Sequence, residues 1–520
     1  MESSDVVGRI NRIVGKGPGR WMAQLLALAL IGVLAVYTVP GRTKSASNLT
    51  SASGTDQQSS SNLPSATAGP STGPKVHAGA TNVGGVVAAS SGNVIAPSGH
   101  TVNVFAPKKA SNGVTYVPAH LYNASEAYQG ITKTTITLCM HAAISLGNVF
   151  HETETDVETY FRYLNAHGGV NGKSVNMTIE DDQYTAAGAQ VATTRCEGIN
   201  PFLILGGIGF DQDPVVRSLA EQHHFLYLYP MADDGSGGSG PPKSYKYSFT
   251  ASPTIEQVGT WMGQAAIKYS HGPYGAVYVK DANWIGGYNT FKKYLDAHGG
   301  KSVDGDSYTM NSGADNSQFN TDITLMQAHG VKTVFLWMNA VGADEFVQTA
   351  SSQGFHPQYV TPDGFDLVTG TVGQSMDDKS GSVGPAIGGW VTPAFDPKNP
   401  NVPYWSAEKE MLDAYNTYDS GHQPDDIDWQ AWLAFKAVTD MFRLCGTDCN
   451  RNDIAGMFDS GLSAQTPPLC NANFKANHNF GGTAMNLWKA TRVSYVSPDY
   501  PQASQHTVWK QFVTCSNKFD

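Results

Sequence analysis

The sequence predicts an α/β protein of two lobes, each a doubly wound parallel sheet, joined by a hinge. Three observations lead to this fold class. Strand and helix patterns alternate from about residue 130 onwards, a seven-residue word recurs at an offset of 131 residues, and 41% of the 520 residues are hydrophobic. Such alternation is typical of parallel sheets with helices on both faces, and this apolar content is enough for packed cores.

The first series of strands and helices runs from residue 132 to residue 229. A helix from about Thr155 ends at Gly168 and Gly169, because glycine accepts the left-handed conformation that closes a helix. Asp213 and Pro214 offer an N-cap and a first-turn proline for a later helix. Strands are predicted at 132–138, 175–179, 202–205 and 225–229, and a further helix at about 185–197.

A second series begins at Thr254, which forms a capping-box pattern with Gln257. Beyond residue 363 the pattern loosens into a glycine-rich stretch before it becomes helical again. Strands are predicted at 276–279, 331–337 and 508–513, and helices at 405–418 and 429–444. The patterns therefore divide the folded part into a first lobe at 130–250, a second lobe at 251–365 and a return segment at 366–520 that contributes to both.

The recurring seven-residue motif lies at the end of one predicted helix in each series. Tyr163-Leu-Asn-Ala-His-Gly-Gly169 matches Tyr294-Leu-Asp-Ala-His-Gly-Gly300 in length and in six of its seven residues. This repeat predicts two lobes of similar construction. We expect His167, His298 and His329 at helix C-termini, where the dipole is negative, and not in a metal site.

The beginning of the chain predicts a membrane anchor. Residues 21–39 are apolar and uncharged over about the length that a helix needs to cross a bilayer. Four cations and two anions precede this run, so residues 1–20 are expected in the cytoplasm. The protein is then a single-pass protein of the cell membrane with an extracytoplasmic folded domain. A cleaved signal peptide is the alternative, and it would make the protein a secreted one.

Residues 40–115 are rich in Ser, Thr, Gly, Ala, Asn and Pro, which predicts a disordered tether. Residues 116–520 contain 24 Lys and Arg against 41 Asp and Glu, so the folded part carries a formal charge of −17. No long basic run occurs in the chain. This charge distribution excludes a nucleic-acid partner whose phosphates would need basic contacts.

All six cysteines follow the apolar run, on the side where disulfides persist. The even count favours structural disulfides, although sequence alone allows 15 pairings. The spacing of Cys445, Cys449 and Cys470 suggests disulfide cross-links in the C-terminal part of the chain. A zinc site would instead need C-x2-C pairs and clustered histidines. Cys139 lies in a predicted buried strand, so an inert free thiol is its alternative.

Sequence motifs for catalysis are weak. Gly206-Gly-Ile-Gly209 follows a strand as a dinucleotide-binding loop would, but it lacks the third glycine, and Asp211 and Asp213 would oppose phosphate groups. The chain contains no Gly-x-Ser-x-Gly, no phosphate-binding lysine loop and no His-Glu-x-x-His pattern. The sequence thus predicts no enzyme, no catalytic residue, no metal site and no cofactor.

The carboxyl ends of parallel strands are where open sheets bind ligands, and two such lobes form a cleft there. In this sequence six loops follow predicted strands and contain the candidate ligand-binding residues. These loops are 140–146, 206–213, 230–240, 281–288, 337–343 and 362–367.

Three segments resemble, in their order and spacing, the opening of the type I periplasmic solute-binding family, which is typified by the leucine/isoleucine/valine-binding protein. These segments are Gly130–Leu138, Asn165–Gly172 and Glu180–Tyr184. Tyr247–Thr250 resembles the family's crossing into its second lobe, and Pro362–Gly364 resembles its second-lobe acidic loop. The likeness covers about residues 130–520. It implies the type I periplasmic-binding-protein fold and the role of substrate-binding component of an ABC transporter.

The resemblance also implies candidate ligand contacts. Asp363 matches the acidic residue that holds a ligand ammonium, and Trp284 and Trp337 lie where the family has aromatic residues. The usual serine and threonine fall near Gly209 and at Asp233, so both hydroxyls are missing. An anion at Asp233 would repel a carboxylate, which favours an amide, a cationic or a neutral polar solute over an α-amino acid. The predicted ligand-binding residues are Gly209, Phe210, Asp211, Ala232, Asp233, Trp284, Tyr288, Trp337 and Asp363.

Two of these residues have a competing interpretation. Asp233 also suits a solvated position before the glycine-rich stretch at 235–240, and Trp337 also suits core packing. The sequence as a whole predicts a membrane-tethered solute-binding protein that presents a small polar solute to a membrane transporter permease. The alternatives are a ligand-sensing ectodomain, an enzyme on the same frame, or a structural protein of the cell envelope.

Overall fold

The structure is a computed structural model, and it describes most of the chain from Gly92 to Phe519. The described residues are 92–145, 154–207, 212–228, 245–279, 285–300, 302–308, 316–338, 340–362, 386–390, 392–393, 395, 400–424, 426–462, 468–474, 481–495 and 504–519. All of them belong to one compact unit, residues 85–520.

The N-terminal part of this unit consists of two short hairpins, β1–β2 and β3–β4. The second hairpin lies against the body of the protein: Ser111 N donates to Leu444 O at 2.8 Å, and Tyr116 is buried in the core. The prediction of a tether through residue 115 is therefore wrong from Gly92 onwards, because composition does not show which backbone groups find partners in the fold. The strands are β1 (Asn93–Ile95), β2 (Thr101–Asn103), β3 (Lys108–Lys109) and β4 (Thr115–Tyr116).

The first lobe contains a five-stranded sheet in which every pair of neighbours is parallel. Its elements in chain order are β5 (Thr135–Ala142), α1 (Glu154–Ala166), β6 (Ser174–Asp181), α2 (Ala186–Gly198), β7 (Leu203–Gly206), α3 (Gln212–His223), β8 (Tyr227–Leu228) and β9 (Ser248–Phe249). The strand order is β6-β5-β7-β8-β9. The first strand begins three residues later than predicted, because the Thr132 hydroxyl accepts from Thr135 N at 3.0 Å and holds residues 132–135 in a turn.

The second lobe repeats this order. Its elements are α4 (Ile255–Tyr269), β10 (Tyr274–Val279), α5 (Ile285–Ala297), β11 (Ser302–Tyr308), α6 (Asn316–Ala328), β12 (Thr333–Trp337), α7 (Ala340–Ser352), β13 (Gln358–Thr361) and β14 (Ala386–Trp390). These strands are parallel in the order β11-β10-β12-β13-β14. The capping box of α4 is confirmed: Gln257 N donates to the Thr254 hydroxyl at 3.2 Å, and Thr254 N donates to Gln257 Oε1 at 2.9 Å.

The remaining chain serves both lobes. Three helices, α8 (Trp405–Tyr418), α9 (Asp426–Cys445) and α10 (Arg451–Asp459), contribute to the hydrophobic core of the first lobe. Two long strands, β15 (Met485–Tyr495) and β16 (Ser504–Ser516), extend the second sheet beyond β14 in antiparallel pairing. Each lobe thus has its own core, and each core is completed by residues that follow Trp390.

The repeated helix ends are confirmed. Nδ1 of His167 and of His298 each donates to the tyrosine carbonyl four residues earlier at 2.8 Å, and Nδ1 of His329 donates to Leu325 O at 2.9 Å. The glycines that follow have positive φ, 92° at Gly168 and 81° at Gly299. These histidines close helices, as the sequence predicts.

The chain crosses between the lobes three times, after β9, after β14 and after α10. The first and third crossings touch. Gly481 N donates to Thr250 O at 2.8 Å and Gly482 N donates to Ser252 O at 3.2 Å. A Cβ at position 482 would lie 2.1 Å from Pro253 N, so only glycine allows this approach. These paired segments form the connection at which a hinge motion would act.

All six cysteines form disulfides: Cys139–Cys196, Cys445–Cys449 and Cys470–Cys515. The structural role that the sequence predicts is confirmed, and the alternative of a free thiol at Cys139 is wrong. The first bond joins β5 to α2, and the third joins the last crossing segment to β16.

Within the described ranges, which begin at Gly92, none of the helices combines the length and the apolar character that a bilayer span requires. The predicted anchor at 21–39 lies outside the described residues.

Candidate functional site

In both sheets the carboxyl ends of the strands lie toward the crossings between the lobes. The chain leaves β9 at its carboxyl end and enters α4 of the second lobe after five intervening residues, and it leaves β14 of the second lobe from the carboxyl end as well. Both sheets therefore turn this edge toward the crossings. Open parallel sheets bind ligands outside this edge, where the strand order reverses. In the first lobe this point lies between β5 and β7.

Four buried polar side chains meet at this point of the first lobe. His141 lies near the end of β5, Asp182 directly follows β6, Asp213 lies in the first turn of α3, and Tyr227 begins β8. His141 Nδ1 is 2.9 Å from Asp182 Oδ2, and His141 Nε2 is 2.7 Å from the Tyr227 hydroxyl. The hydroxyl donates to Asp213 Oδ1 at 2.6 Å. We call these four residues the strand-end network.

The hydrogen bonds of the strand-end network require an additional proton. Because Tyr227 donates its only hydroxyl hydrogen to Asp213, its oxygen accepts from His141 only if Nε2 carries a hydrogen. A neutral imidazole has a hydrogen on one nitrogen only. Three hydrogen bonds connect the four residues, and neutral His141 and neutral Tyr227 together supply only two of the hydrogens. The hydrogen bonds between these four residues, which lie in or directly beside three strands and a helix, therefore depend on the protonation of the network as a whole.

Burial dominates the electrostatics of the network, since His141 is 1% exposed and Asp182 and Asp213 are 0% exposed. Burial raises the pKa of Asp213 to about 7, although His141, the hydrogen bond from Tyr227 and the nearby Arg217 act in the opposite direction. A carboxyl group that titrates near neutrality at the ligand-binding edge of a sheet is typical of functional sites.

Two neighbouring residues at the start of α3 keep polar atoms without a hydrogen-bond partner among the described residues. These atoms are Nε2 and Oε1 of the Gln212 side chain and Oδ2 of Asp213. Gln212 is only 1% exposed. An unsatisfied buried polar group costs about 1–3 kcal/mol, so a water molecule or a polar ligand group here would be stabilised by these atoms.

Asp181 adds a fixed negative charge beside the network. Its Oδ1 accepts from Gln183 N at 2.9 Å and from Ser145 N at 3.2 Å. Partial burial acts to raise its pKa, but these hydrogen bonds outweigh it and hold the pKa below the ordinary value. The edge of the first lobe is therefore rich in carboxylates, as the acidic composition of the folded part predicts.

Most of the predicted ligand-binding residues lie outside the described residues, namely Gly209, Phe210, Asp211, Ala232, Asp233, Trp284 and Asp363. The two described ones are in the core of the second lobe. Trp337 is 0% exposed, and a Cβ on Gly287 would lie 1.8 Å from its ring, so α5 packs directly on it. Tyr288 is buried and stacks on Tyr278 with ring centroids 3.8 Å apart. Both side chains are buried against the sheet, and the ligand role predicted for Trp337 and Tyr288 stays a prediction.

Sequence reasoning missed the strand-end network. His141 and Asp182 lie in segments that the sequence analysis singled out, but nothing in their spacing shows that they meet. Asp213 was predicted as an N-cap. The structure instead begins α3 at Gln212, and the Asp213 carboxylate accepts from Tyr227. The sequence signal that could have indicated this network is that His141, Asp182 and Asp213 each follow a predicted strand.

Comparison with known proteins identifies the same architecture. The model of one family, described as periplasmic binding protein, matches residues 147–494. None of the curated proteins compared with the chain matches it. The match covers most of both lobes and confirms the resemblance inferred from the sequence.

Solved structures of solute-binding proteins share the fold. A leucine-, isoleucine-, valine-, threonine- and alanine-binding protein from Brucella ovis is 16% identical, with 73% of this chain and 95% of that chain covered and a TM-score of 0.56. A fatty acid ABC transporter substrate-binding protein from Thermomonospora curvata is 14% identical, with 78% and 97% covered and a TM-score of 0.57. An ABC transporter solute-binding protein from Rhodopseudomonas palustris BisB5, in complex with 3,4-dihydroxy benzoic acid, is 15% identical, with 74% and 98% covered and a TM-score of 0.53. At these identities the likeness establishes the fold, and the ligands of these proteins differ in chemistry.

Proposed function

The chain belongs to the periplasmic binding protein family, and we propose that it captures a small polar solute between its lobes and presents the closed form to a membrane transporter permease. The observation that carries this proposal is the set of unpartnered buried atoms on Gln212 and Asp213 at the ligand-binding edge of the first sheet. Two sheets with the same strand order, joined by three crossings, supply the frame for closure.

The charges of the first lobe support a particular class of solute. Asp181 and Asp182 lie at the end of β6 and Asp213 lies in the first turn of α3. Hydrogen bonds hold the pKa of Asp181 below its ordinary value, so this carboxylate is negatively charged at neutral pH. A ligand carboxylate placed beside these groups would be repelled. An amide, a neutral polar group or a cation is compatible with them, and the Gln212 amide offers both a donor and an acceptor.

An extracytoplasmic location is part of the proposal. Three disulfides join all the cysteines of the chain, and disulfides persist in oxidising compartments. Residues 21–39 would hold the protein in the membrane, with residues 1–20 on the cytoplasmic side. The solute-binding proteins of similar fold are not enzymes by description, and we propose no catalytic role here.

Thermal unfolding of the full chain, freed of carried-over ligand, tests the binding function. The panel contains amino acids, amides, polyamines and sugars, each titrated over a range of concentrations. A solute that binds only the folded state raises the unfolding midpoint in a concentration-dependent manner. A rise with amides or polyamines is the expected result. Unchanged midpoints across the panel would count against a binding role for this cleft.

Two substitutions then locate the ligand. Gln212→Leu removes the unpartnered amide, so we expect solute affinity to fall at least about tenfold while the unfolding midpoint without solute stays the same or rises. Asp363→Asn tests the second lobe, and we expect a similar loss for a cationic solute. Asp296→Asn, on the exposed side of α5, is the matched control. Equal affinities of all three variants and the native chain would remove Gln212 and Asp363 from the site.

A further inference from the structure

A second polar cluster lies in the first lobe, apart from the strand-end network. One carboxylate oxygen each of Asp156 and Asp428 and one imidazole nitrogen of His422 lie within 4.8 Å of one another. His422 Nε2 is 2.7 Å from Asp428 Oδ2. We propose that these three residues form a binding site for a divalent transition-metal ion. The proposal is independent of the solute that the cleft binds.

The three ligands come from separate parts of the chain. Asp156 is the third residue of α1, His422 lies in the connection between α8 and α9, and Asp428 is the third residue of α9. A carboxylate in the first turn of a helix is stabilised by the helix dipole, and this explains each aspartate alone. It does not explain why two such helix starts and an imidazole converge on one point, 272 residues apart in sequence between Asp156 and Asp428.

Burial strengthens the argument. Asp156 and Asp428 are buried, and the His422 side chain is 23% exposed. Two carboxylates brought together away from water repel each other unless positive charge lies between them. A divalent ion between the three ligand atoms provides that charge. The partial exposure of His422 leaves a route by which the ion enters from solvent.

Tyr415 of α8 holds the site in shape. Its hydroxyl donates to Asp156 Oδ1, and its ring lies against the His422 ring with centroids 5.3 Å apart. Groups that orient the ligands in this manner accompany most metal sites in proteins and fix the direction of the ligand atoms. Tyr415 is itself buried, so its position depends on the packing of α8 against α1.

The ligand atoms select the class of ion. An imidazole nitrogen with carboxylate oxygens suits Zn²⁺ and its first-row neighbours, whereas Ca²⁺ and Mg²⁺ prefer oxygen ligands only. Zinc binds nitrogen and oxygen at about 2.0–2.2 Å, which places ligand atoms of one ion roughly 3–4 Å apart. To take up such an ion, ligand atoms that lie as much as 4.8 Å apart would have to approach by about 1–2 Å. His422 Nε2 and Asp428 Oδ2, which are 2.7 Å apart, would have to separate slightly.

Zn²⁺ titration of the full chain, treated with a chelator and dialysed, tests this site by calorimetry. We expect one saturable Zn²⁺ per chain with a dissociation constant in the micromolar range or below, and no displacement by a large excess of Ca²⁺. Co²⁺ in place of Zn²⁺ should give visible absorption bands that saturate at the same ratio. Displacement by Ca²⁺ at similar concentrations, or the lack of any saturable site, would overturn the proposal.

Substitutions assign the ligands. His422→Gln and Asp156→Asn should each weaken Zn²⁺ binding at least about tenfold, and circular dichroism before each titration checks that the variants are folded. His329→Gln is the control, since His329 is an exposed helix-end histidine bonded to Leu325 O. If both cluster variants bind Zn²⁺ as the native chain does, the ion binds elsewhere and the proposal is wrong.

Discussion

The Tyr227 hydroxyl donates to the Asp213 carboxylate at 2.6 Å, and the same oxygen lies 2.7 Å from His141 Nε2. One phenol therefore connects the carboxylate at the start of α3 with the imidazole of β5, and through it with Asp182. Because all of these groups are buried, each has few alternatives if its partner is lost. The strand-end network links the loops of the first lobe to its sheet.

Tyr227→Phe should destabilise the protein by about 2 kcal/mol or more. The change leaves both the His141 nitrogen and the Asp213 oxygen without a partner, and each buried group that loses its partner costs about 1–3 kcal/mol. Urea unfolding at neutral pH measures the loss. Tyr269→Phe, at a half-buried tyrosine outside the network, is the control. Equal effects of the two substitutions would show that the Tyr227 hydroxyl contributes nothing specific.

Asp213→Asn should flatten the pH dependence of stability between about pH 4 and pH 7. Since burial raises the pKa of Asp213 to about 7, the folded state binds a proton more tightly than the unfolded state, in which the pKa is about 4. This contribution is fully present below about pH 4 and is lost as the pH rises through about 7, by roughly 4 kcal/mol at most. Asparagine does not titrate, so the variant should gain on the native chain as the pH rises.

The measurement for Asp213→Asn is a series of urea unfolding midpoints from about pH 4 to pH 8. Asp413→Asn, at an exposed aspartate of α8, is the control and should follow the native slope. A native-like slope in the Asp213 variant would mean that this carboxyl group does not titrate in the window.

Gly482→Ala should destabilise the connection between the lobes. An added Cβ would lie 2.1 Å from Pro253 N and 2.4 Å from the carbonyl carbon of Ser252, so the two crossing segments must separate. Forcing atoms into such a packed position costs typically about 1–3 kcal/mol. Urea unfolding gives the stability change, and solute titration shows whether closure is affected. Gly198→Ala, with open space around its Cβ, should cost less than about 0.5 kcal/mol.

Lys108→Met should cost more stability than Lys409→Met. Lys108 Nζ lies 2.7 Å from Asp453 Oδ2, whose side chain is 0% exposed, whereas the partners of the Lys409–Asp413 pair are more than half exposed. Burial raises the pKa of Asp453 and Lys108 lowers it, so the loss of the lysine leaves a buried carboxylate without its cation. We expect about 1–3 kcal/mol for Lys108 and less than about 1 kcal/mol for Lys409.

Urea unfolding of both lysine variants compares the two pairs directly. The same experiment tests the attachment of the N-terminal hairpins, because Lys108 belongs to β3 and Asp453 to α10. Similar small losses in both variants would mean that β3 contributes little to the stability of the body.

The helix ends show what a single sequence reveals about this fold. The Thr254 capping box and the histidine-glycine ends of α1 and α5 involve residues within four positions of each other. Such interactions have local signals, so the sequence predicts them. The two-lobed α/β class follows in the same way from the alternation of strand and helix patterns and from the repeated word.

The candidate site depended on contacts that the sequence does not display. His141 and Tyr227 are 86 residues apart and meet because the strands β5, β7 and β8 lie side by side. Trp337 lies at the end of a predicted strand, where the family resemblance implies an aromatic ligand contact, and the packing of α5 on β12 buries it. Whether a side chain at a strand end faces the cleft or the core depends on the helix that covers it.

The sequence by itself therefore determined the fold class, the family and the ends of the helices, because these depend on local patterns and on their order along the chain. Only the tertiary structure decided which polar residues meet, which aromatic residues are buried and where β3 and β4 attach. These features arise from side chains that come together after the strands pair and the helices pack, and no short-range pattern records them.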